Sequence, residues 1–462
     1  MSPVLRELCM QRNAALDRIR NELFYGSCNY TKSQPDLFVP QHFTMLAPSK
    51  ASSFIDTVVA AMVETELLLY IHLPFCFSEC LFCNSFPHKV DTQVQQEYLR
   101  RLILQIELYE RLGLFKGKKA KCICFGGGTP TAFANSEIRK VMDTVRACVT
   151  LTDDCSIATE AHPATMEHEA RVLDLADMGF NRISMGCQTF DPQILQLCNR
   201  NNTPSQVQGI VQTVQRAGMM INIDMMTGLP GQSIESVQAD LRMLEQIRPD
   251  AVEYIRHEIV NPLIARLYTQ RPELIVPDDT LFDMVFMAQE WMDGQGYEQN
   301  GRFSCDRQWP YRYHWLRETP IISFGIRTRS YSPAICFDSH EELASFNRLV
   351  DKGIPPVGRY IMLSRRERMY RRLILSLQLK GGLDISRFHA SFGESPLDVF
   401  SPLVSKLADL GCLCQEDESL RLTRLGAYFV EDVCDCIIDS ALQEESRGLV
   451  RAPHSGGSMF RR

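Results

Sequence analysis

The chain has 462 residues, room for two or three compact units, with 45% hydrophobic and 23% charged residues as in an ordinary globular protein. A formal net charge of −7 speaks against a nucleic-acid binder that works by neutralising phosphates. Charges interrupt the start, Met1–Arg20, and Asp56, Glu64 and Glu66 break the longest apolar run, Phe54–Tyr70, so no export signal and no membrane span is expected, and the expected location is cytoplasmic.

In chain order, residues 1–65 read as a lead-in: a helix, then an irregular Pro/Ser-rich approach. From 66 to 260, short apolar runs alternate with longer amphipathic ones. The expected strands are Leu67–Leu73, Lys121–Phe125, Ser156–Ala161, Arg182–Gly186, Ile221–Met226 and Ala251–Arg256. The expected helices include Gln93–Leu112, Asn135–Val149, Met166–Asp177, Ser205–Ala217 and Ser236–Ile247. This alternation implies an α/β fold, a partial (β/α) barrel of parallel strands with helical crossovers. Between 261 and 359 the alternation weakens. That stretch reads as barrel completion and connections, with loops at Pro272, Pro277 and Trp309–Pro320. Helices at Ser364–Gln378, Pro396–Leu410 and Arg424–Ser440, with a hairpin around Cys412–Thr423, predict a small winged-helix-like domain over 360–440. The tail, 441–462, is rich in Gly, Ser and Arg and is expected to be disordered.

Of the 17 cysteines, most fit reduced, buried thiols, as Cys122, Cys124 and Cys187 do in apolar strands. Cys76, Cys80 and Cys83 do not. They fall at spacings of four and three in a loop just after a strand, among Pro, Ser and Glu residues that point to exposure. Three thiolates can hold a 4Fe-4S cubane and leave one iron open for the amino and carboxylate groups of S-adenosylmethionine (SAM). Structural zinc is the competing reading, with His72 or His88 as a fourth ligand.

Barrel enzymes carry their chemistry at the C-terminal ends of the strands, and the other motifs lie there. Gly126-Gly127-Gly128-Thr129 follows the second strand, where glycines let backbone approach a ligand and expose N–H donors. Glu160 ends the third strand. Gln188 follows the fourth, with Arg200 beyond it. Asp224 lies inside the apolar fifth strand, where a carboxylate needs a partner or a ligand.

Together, YIHLPFCxxxCxFC, FGGGTPT, NRISxGxQTFD and NIDxxxGLPGQ resemble one branch of the radical SAM superfamily: the oxygen-independent coproporphyrinogen dehydrogenases, the haem chaperones and the class C methyltransferases. The resemblance implies a 4Fe-4S cluster on Cys76, Cys80 and Cys83, and a SAM touching Tyr70, Phe82, Gly127 and Glu160. It implies a second SAM at Gly128, Thr129, Gln188, Arg200 and Asp224. It further implies a small-molecule substrate and a one-electron reductant such as flavodoxin or ferredoxin, while the charge and hydropathy above leave no nucleic-acid or membrane partner expected. Three departures stand out. Ser85 replaces a further cysteine, Arg327 and Arg329 enter a glycine-rich segment, and Tyr311–Trp315 replaces an HNxxYW segment. They shift the expectation to C-methyl transfer on a small molecule, with an anionic group near Arg327 and Arg329. Oxidative decarboxylation of a porphyrinogen and haem delivery are the alternatives.

Overall fold

From Leu67 to Leu73 every second side chain is a large aliphatic one: Leu67, Leu69, Ile71, Leu73. That period-two row builds a strand with one face committed to a core. In the computed structural model, which describes residues 14–24, 43–83, 85, 88–259, 261–300, 303–305 and 310–449, this is β1 (Glu66–Leu73), and the row is buried beneath helices.

Two helices precede it, α1 (Ala14–Glu22) and α2 (Ala51–Ala61). The second corrects the irregular approach expected there. Phe54, Ile55 and Val58 form a short apolar stripe, and Phe54 packs on Phe337 and Tyr360. Five strands follow β1 in parallel: β2 (Lys119–Gly127), β3 (Thr150–Ala161), β4 (Arg182–Gln188), β5 (Met220–Thr227) and β6 (Ala251–Arg256). Helices α3 (Thr92–Arg111), α4 (Asn135–Cys148), α5 (Glu169–Asp177), α6 (Pro204–Arg216) and α7 (Ile234–Ile247) cross between them. Their starts are written locally. Asp91, Thr203 and Ser233 accept from the N–H groups of Val94, Gln206 and Ser236, each cap contributing about 1 kcal/mol.

After β6 come α8 (Pro262–Gln270), α9 (Asp278–Gly294), the hairpin β7 (Glu298–Asn300) and β8 (Phe303–Cys305), and helix α10 (Pro310–Leu316). Helix α10 corrects the loop expected at Trp309–Pro320. Pro310 opens the helix, where its missing N–H costs nothing, and Pro320 lies beyond its end. Strand β9 (Ile321–Phe324) then pairs with β1 in parallel. The antiparallel strands β10 (Arg329–Tyr331), β11 (Ile335–Ser339) and β12 (Val357–Met362) extend that side. Among the described residues the main sheet has thirteen strands, and β9 does not pair with β6, so the parallel barrel stays open.

The C-terminal part has its own core. It consists of α11 (Arg365–Leu377), β13 (Leu383–Asp384), α12 (Ile385–Phe392), α13 (Ser401–Asp409), the hairpin β14 (Leu413–Glu416) and β15 (Ser419–Leu422), and α14 (Val430–Leu449). Helix Pro396–Leu410 is interrupted at Phe400, because Pro402 cannot continue the hydrogen-bond ladder. The last helix is likewise divided, at Phe429, and it runs on to Leu449. The expected disordered tail therefore does not begin at 441, and 450–462 lie outside the described residues. Arg256, at the end of β6, reaches Asp432 of α14 at 2.9 Å, both side chains being buried. No helix among the described residues is long and apolar enough to cross a membrane.

Candidate active site at the mouth of the barrel

The alternation that turns Leu67, Leu69 and Ile71 toward the helices turns Leu68, Tyr70 and His72 into the lumen. Register carries these rows around the barrel. Tyr70 lies opposite Cys124, and Cys124 opposite Ala158. Glu160 lies opposite Ser184, Ser184 opposite Asn222, and Asp224 opposite Glu253. Low in the lumen, Arg182 donates to Ser156 Oγ (3.1 Å), and Tyr311 of α10 packs with Leu68, Cys122 and Tyr70.

The cysteine loop leaves the C-terminal end of β1. A two-residue parallel ladder, Phe75 with His88 and Cys76 with Lys89, closes its base. Leu81 N–H donates to Cys198 O (3.2 Å), Asn199 Nδ2 to Glu79 O (2.8 Å) and Asn261 Nδ2 to Cys83 O (2.8 Å). Asn199 sits at φ +60°, a left-handed conformation that Asn tolerates better than most residues. The three thiols are in no disulfide and are half-buried. Cys76 Sγ stands 3.1 Å from Thr129 Oγ1, and Arg200 Nη1 stands 3.5 Å from Cys80 Sγ. Burial pushes the Cys76 thiol up to about 11, against the Thr129 hydrogen bond; coordination would hold it as thiolate.

A structural zinc site calls for four ligands about one ion, whereas a cubane gives each of three thiolates its own iron and leaves the fourth iron open. His72 turns instead to Tyr70 Oη (3.4 Å), and His88 packs on Phe75. The donor set of one loop with three thiolates therefore fits an iron–sulfur cluster.

The glycines act differently from the expectation that they would present free N–H donors. Gly127 N–H donates to Glu160 Oε2 (3.0 Å), Gly128 N–H to Leu73 O (3.0 Å) and Thr129 N–H to Phe75 O (2.8 Å). Close approach is what demands glycine. A Cβ at Gly128 would meet the backbone of Phe75 at 2.7 Å, and one at Gly126 would meet Tyr70 Oη at 2.6 Å and Glu160 Oε1 at 2.7 Å. The segment thus seats the cysteine loop and frames a polar corner of Tyr70, Glu160 and His72. Burial lifts Glu160 from 4.5 to about 7, with the Gly127 N–H opposing.

Gln188, Arg200 and Asp224 gather at the ends of β4 and β5. Arg200 is buried, and its Nη2 donates to Gly186 O (2.5 Å). Gln188, at φ +76°, folds back over Gly186. Asp224 accepts from Asn222 Nδ2 (2.5 Å) and Ser184 Oγ (3.2 Å). Phe82 instead packs in an apolar cluster with Ile194, Cys198, Met226, Leu229 and Ile255. Of the departing arginines, Arg329 is an ion-pair partner of Asp338 (2.6 Å), which removes it as an anion reader; Arg327 is exposed at φ +55°. Sequence reasoning missed Asn199, Asn261, Glu253 and the packing of Tyr311 on Tyr70. For Asn199 the Asn-rich run Asn199–Asn202 was the available signal; for Glu253 it was a lone acid in an apolar strand.

Comparison with known proteins agrees with this geometry. A family profile described as the radical SAM superfamily matches residues 70–244, and one described as the HemN C-terminal domain matches 363–429. The chain is 26% identical over 413 residues to an oxygen-independent coproporphyrinogen III oxidase of Escherichia coli (strain K12), covering 84% of this chain and 89% of that protein. It is 30% identical over 235 residues to the haem chaperone HemW of the same organism, covering 50% of this chain and 61% of HemW. The solved structure of coproporphyrinogen III oxidase (HemN) from Escherichia coli superposes with a TM-score of 0.78 at 23% identity, over 88% of this chain and 98% of that one, which shows a shared fold. Three loop cysteines at the mouth of an open parallel barrel and the two profile matches identify this chain as a radical SAM domain (70–244) joined to a HemN-type C-terminal domain (363–429), similar to the HemN and HemW proteins.

Proposed function

We propose that the chain cleaves SAM reductively to methionine and a 5′-deoxyadenosyl radical, and that this radical takes a hydrogen atom from a propionate-type side chain of a porphyrinogen-like substrate, which then loses carbon dioxide and gives one electron to a one-electron acceptor, leaving a vinyl group. The observation that carries this reading is the extent of the correspondence. Similarity to coproporphyrinogen III oxidase spans 413 residues across both domains, whereas that to HemW covers half the chain.

When bound, a cubane on Cys76, Cys80 and Cys83 supplies the electron that breaks the sulfonium bond. The chain's own residues do the rest. Glu160, pinned by Gly127 N–H, offers a carboxylate to a cationic amine. Tyr70 and Tyr311 pack, partly buried, against the apolar cluster around Leu68 and Cys122. Arg200 places a guanidinium between the cysteine loop and the end of β4. Ser85 is a departure from the coproporphyrinogen dehydrogenases and provides no further thiolate.

Methyl transfer, the first expectation from sequence, draws no support from the relatives. The deciding experiment is anaerobic reconstitution of the full chain with iron and sulfide, then dithionite, SAM and coproporphyrinogen III. The expected result is 5′-deoxyadenosine and carbon dioxide formed in step with loss of substrate. S-adenosylhomocysteine with a methylated product would replace this reading by methyl transfer. Haem binding without substrate-dependent SAM cleavage would replace it by haem delivery.

A further inference from the structure

A second cavity, of about 620 Å³, lies away from the cysteines, between the C-terminal end of α10, helix α11 and the β13–β15 wing. Its place follows from register. Glu318 lies just before β9, whose first residue Ile321 pairs with Leu68 near the start of β1, whereas the cysteine loop leaves β1 after Leu73. Five strand residues at about 3.3 Å each put the two regions on the order of 17 Å apart along the barrel axis.

The cavity wall is basic. Arg317, Arg372, Lys380, Arg387 and Arg421 line it, against the acids Glu298, Glu318 and Asp384. Arg372 is held by Glu318, Lys380 Nζ lies 3.5 Å from Glu298, and Arg421 pairs with Glu416. Asp384 is committed to capping α12 through Arg387 N–H (2.7 Å). Arg317 donates only to Tyr313 Oη (2.8 Å) and lies over that ring, and among the described residues neither it nor the Arg387 guanidinium has a carboxylate partner. The Glu318–Arg372 pair is itself unusual. Glu318 is buried at φ +63°, a left-handed position at a helix end where glycine is the ordinary residue. Such strain is retained where neighbouring structure over-determines it. Leu316, Leu379 and Leu383 add apolar wall.

Guanidinium groups around a cavity of ligand size match the planar, bidentate acceptors of carboxylates and phosphates. We infer that this cavity binds a small molecule carrying two or more carboxylate or phosphate groups, at a site separate from the barrel mouth and independent of the reaction proposed there.

The test is calorimetric titration of the full chain, at low salt, with two probes: citrate for polycarboxylates and inorganic pyrophosphate for polyphosphates. Acetate serves as the singly charged control. Saturable one-to-one binding of citrate or pyrophosphate is expected, and which probe binds identifies the anion type. Arg317→Gln and Arg387→Gln should each weaken that binding about tenfold, the size of one lost charge-assisted contact. Both residues are exposed, so fold and cluster content should not change. No saturable binding of either probe, equal binding of acetate, or binding that survives both substitutions would overturn the inference.

Discussion

The side-chain amide of Asn261 donates to the backbone carbonyl of Cys83 at 2.8 Å, tying the third cysteine to the segment that starts α8. The same side chain accepts from Leu263 N–H at 2.9 Å as the helix cap. One residue thus starts a helix and fixes the backbone of a proposed cluster ligand. The two functions separate by substitution. Asn261→Asp keeps the cap oxygen and loses the donor; Asn261→Ala loses both. Each lost hydrogen bond costs about 1 kcal/mol. Both variants are expected to fold, to reconstitute with less iron and sulfide, and to lose iron to a chelator several-fold faster than the parent. Equal rates of loss in the parent and in Asn261→Asp would remove Asn261 from the support of the cluster.

Cys124 provides a control for the cysteine assignment. It lies in the lumen opposite Tyr70, partly buried, and desolvation pushes its thiol well above the ordinary range. Cys76→Ala, Cys80→Ala and Cys83→Ala should each abolish the cubane signal after anaerobic reconstitution. Cys124→Ala should leave iron and sulfide content unchanged. Retention of full cluster content by Cys80→Ala would contradict the ligand set, because three thiolates are needed to hold the cubane.

The sequence carried the barrel because its strands obey one local rule. Rows such as Ile221, Ile223 and Met225 advertise a buried face, and Ala251–Arg256 was legible to both ends. The cysteine trio was legible because its spacing is local. What stayed hidden depends on residues distant in the chain. Asn261 caps α8 just before Pro262; that its amide also meets Cys83 follows only from how β6 and β1 converge. Gly126–Gly128 read as ligand-facing N–H groups, but Gly127 and Gly128 donate to Glu160 and Leu73, and Thr129 beyond them to Phe75, because β1 and the cysteine loop press against them. Helix α10 was hidden by its flanking prolines, and strands β9 and β10 by their brevity.

The contact between barrel and C-terminal domain yields a stability prediction. Arg256 and Asp432 are 2.9 Å apart with side chains 4% and 2% exposed, and Glu431 lies 3.7 Å from the same guanidinium. Removing one partner of such a pair leaves a buried charge, at a cost of about 3–5 kcal/mol. Asp432→Ala should lower the unfolding free energy by that amount. Arg256→Met with Asp432→Leu should recover much of it, since well-packed apolar replacements avoid the desolvation penalty. A loss below about 1 kcal/mol for Asp432→Ala, the range of exposed pairs, would show that water reaches this one.

Glu160 gives the last test, through pH. Burial, opposed by the Gly127 N–H and reinforced by the charge of Glu253, raises its carboxyl from 4.5 to about 7. The folded state therefore holds the proton more tightly than the unfolded one. This stabilising contribution is present in full below pH 4.5 and is lost as pH rises through about 7. Above that pH the ligand-free protein carries a buried carboxylate at a cost of about 3 kcal/mol, since a tenfold change in proton affinity is worth about 1.4 kcal/mol. Glu160→Gln has the same shape, still accepts from Gly127, and never ionises. It should be more stable than the parent at pH 8 by up to that amount, and indistinguishable from it near pH 4.5. Other buried acids such as Asp240 are present in both proteins and cancel in the difference. The same variant should bind SAM more weakly at pH 8, because the carboxylate that a cationic amine would pair with is gone. Stability curves that run parallel from pH 4.5 to pH 8 would mean that Glu160 titrates as an ordinary carboxyl and that the lumen is wet. Stabilisation at pH 8 with undiminished SAM binding would keep the burial argument and move the amine contact to another residue.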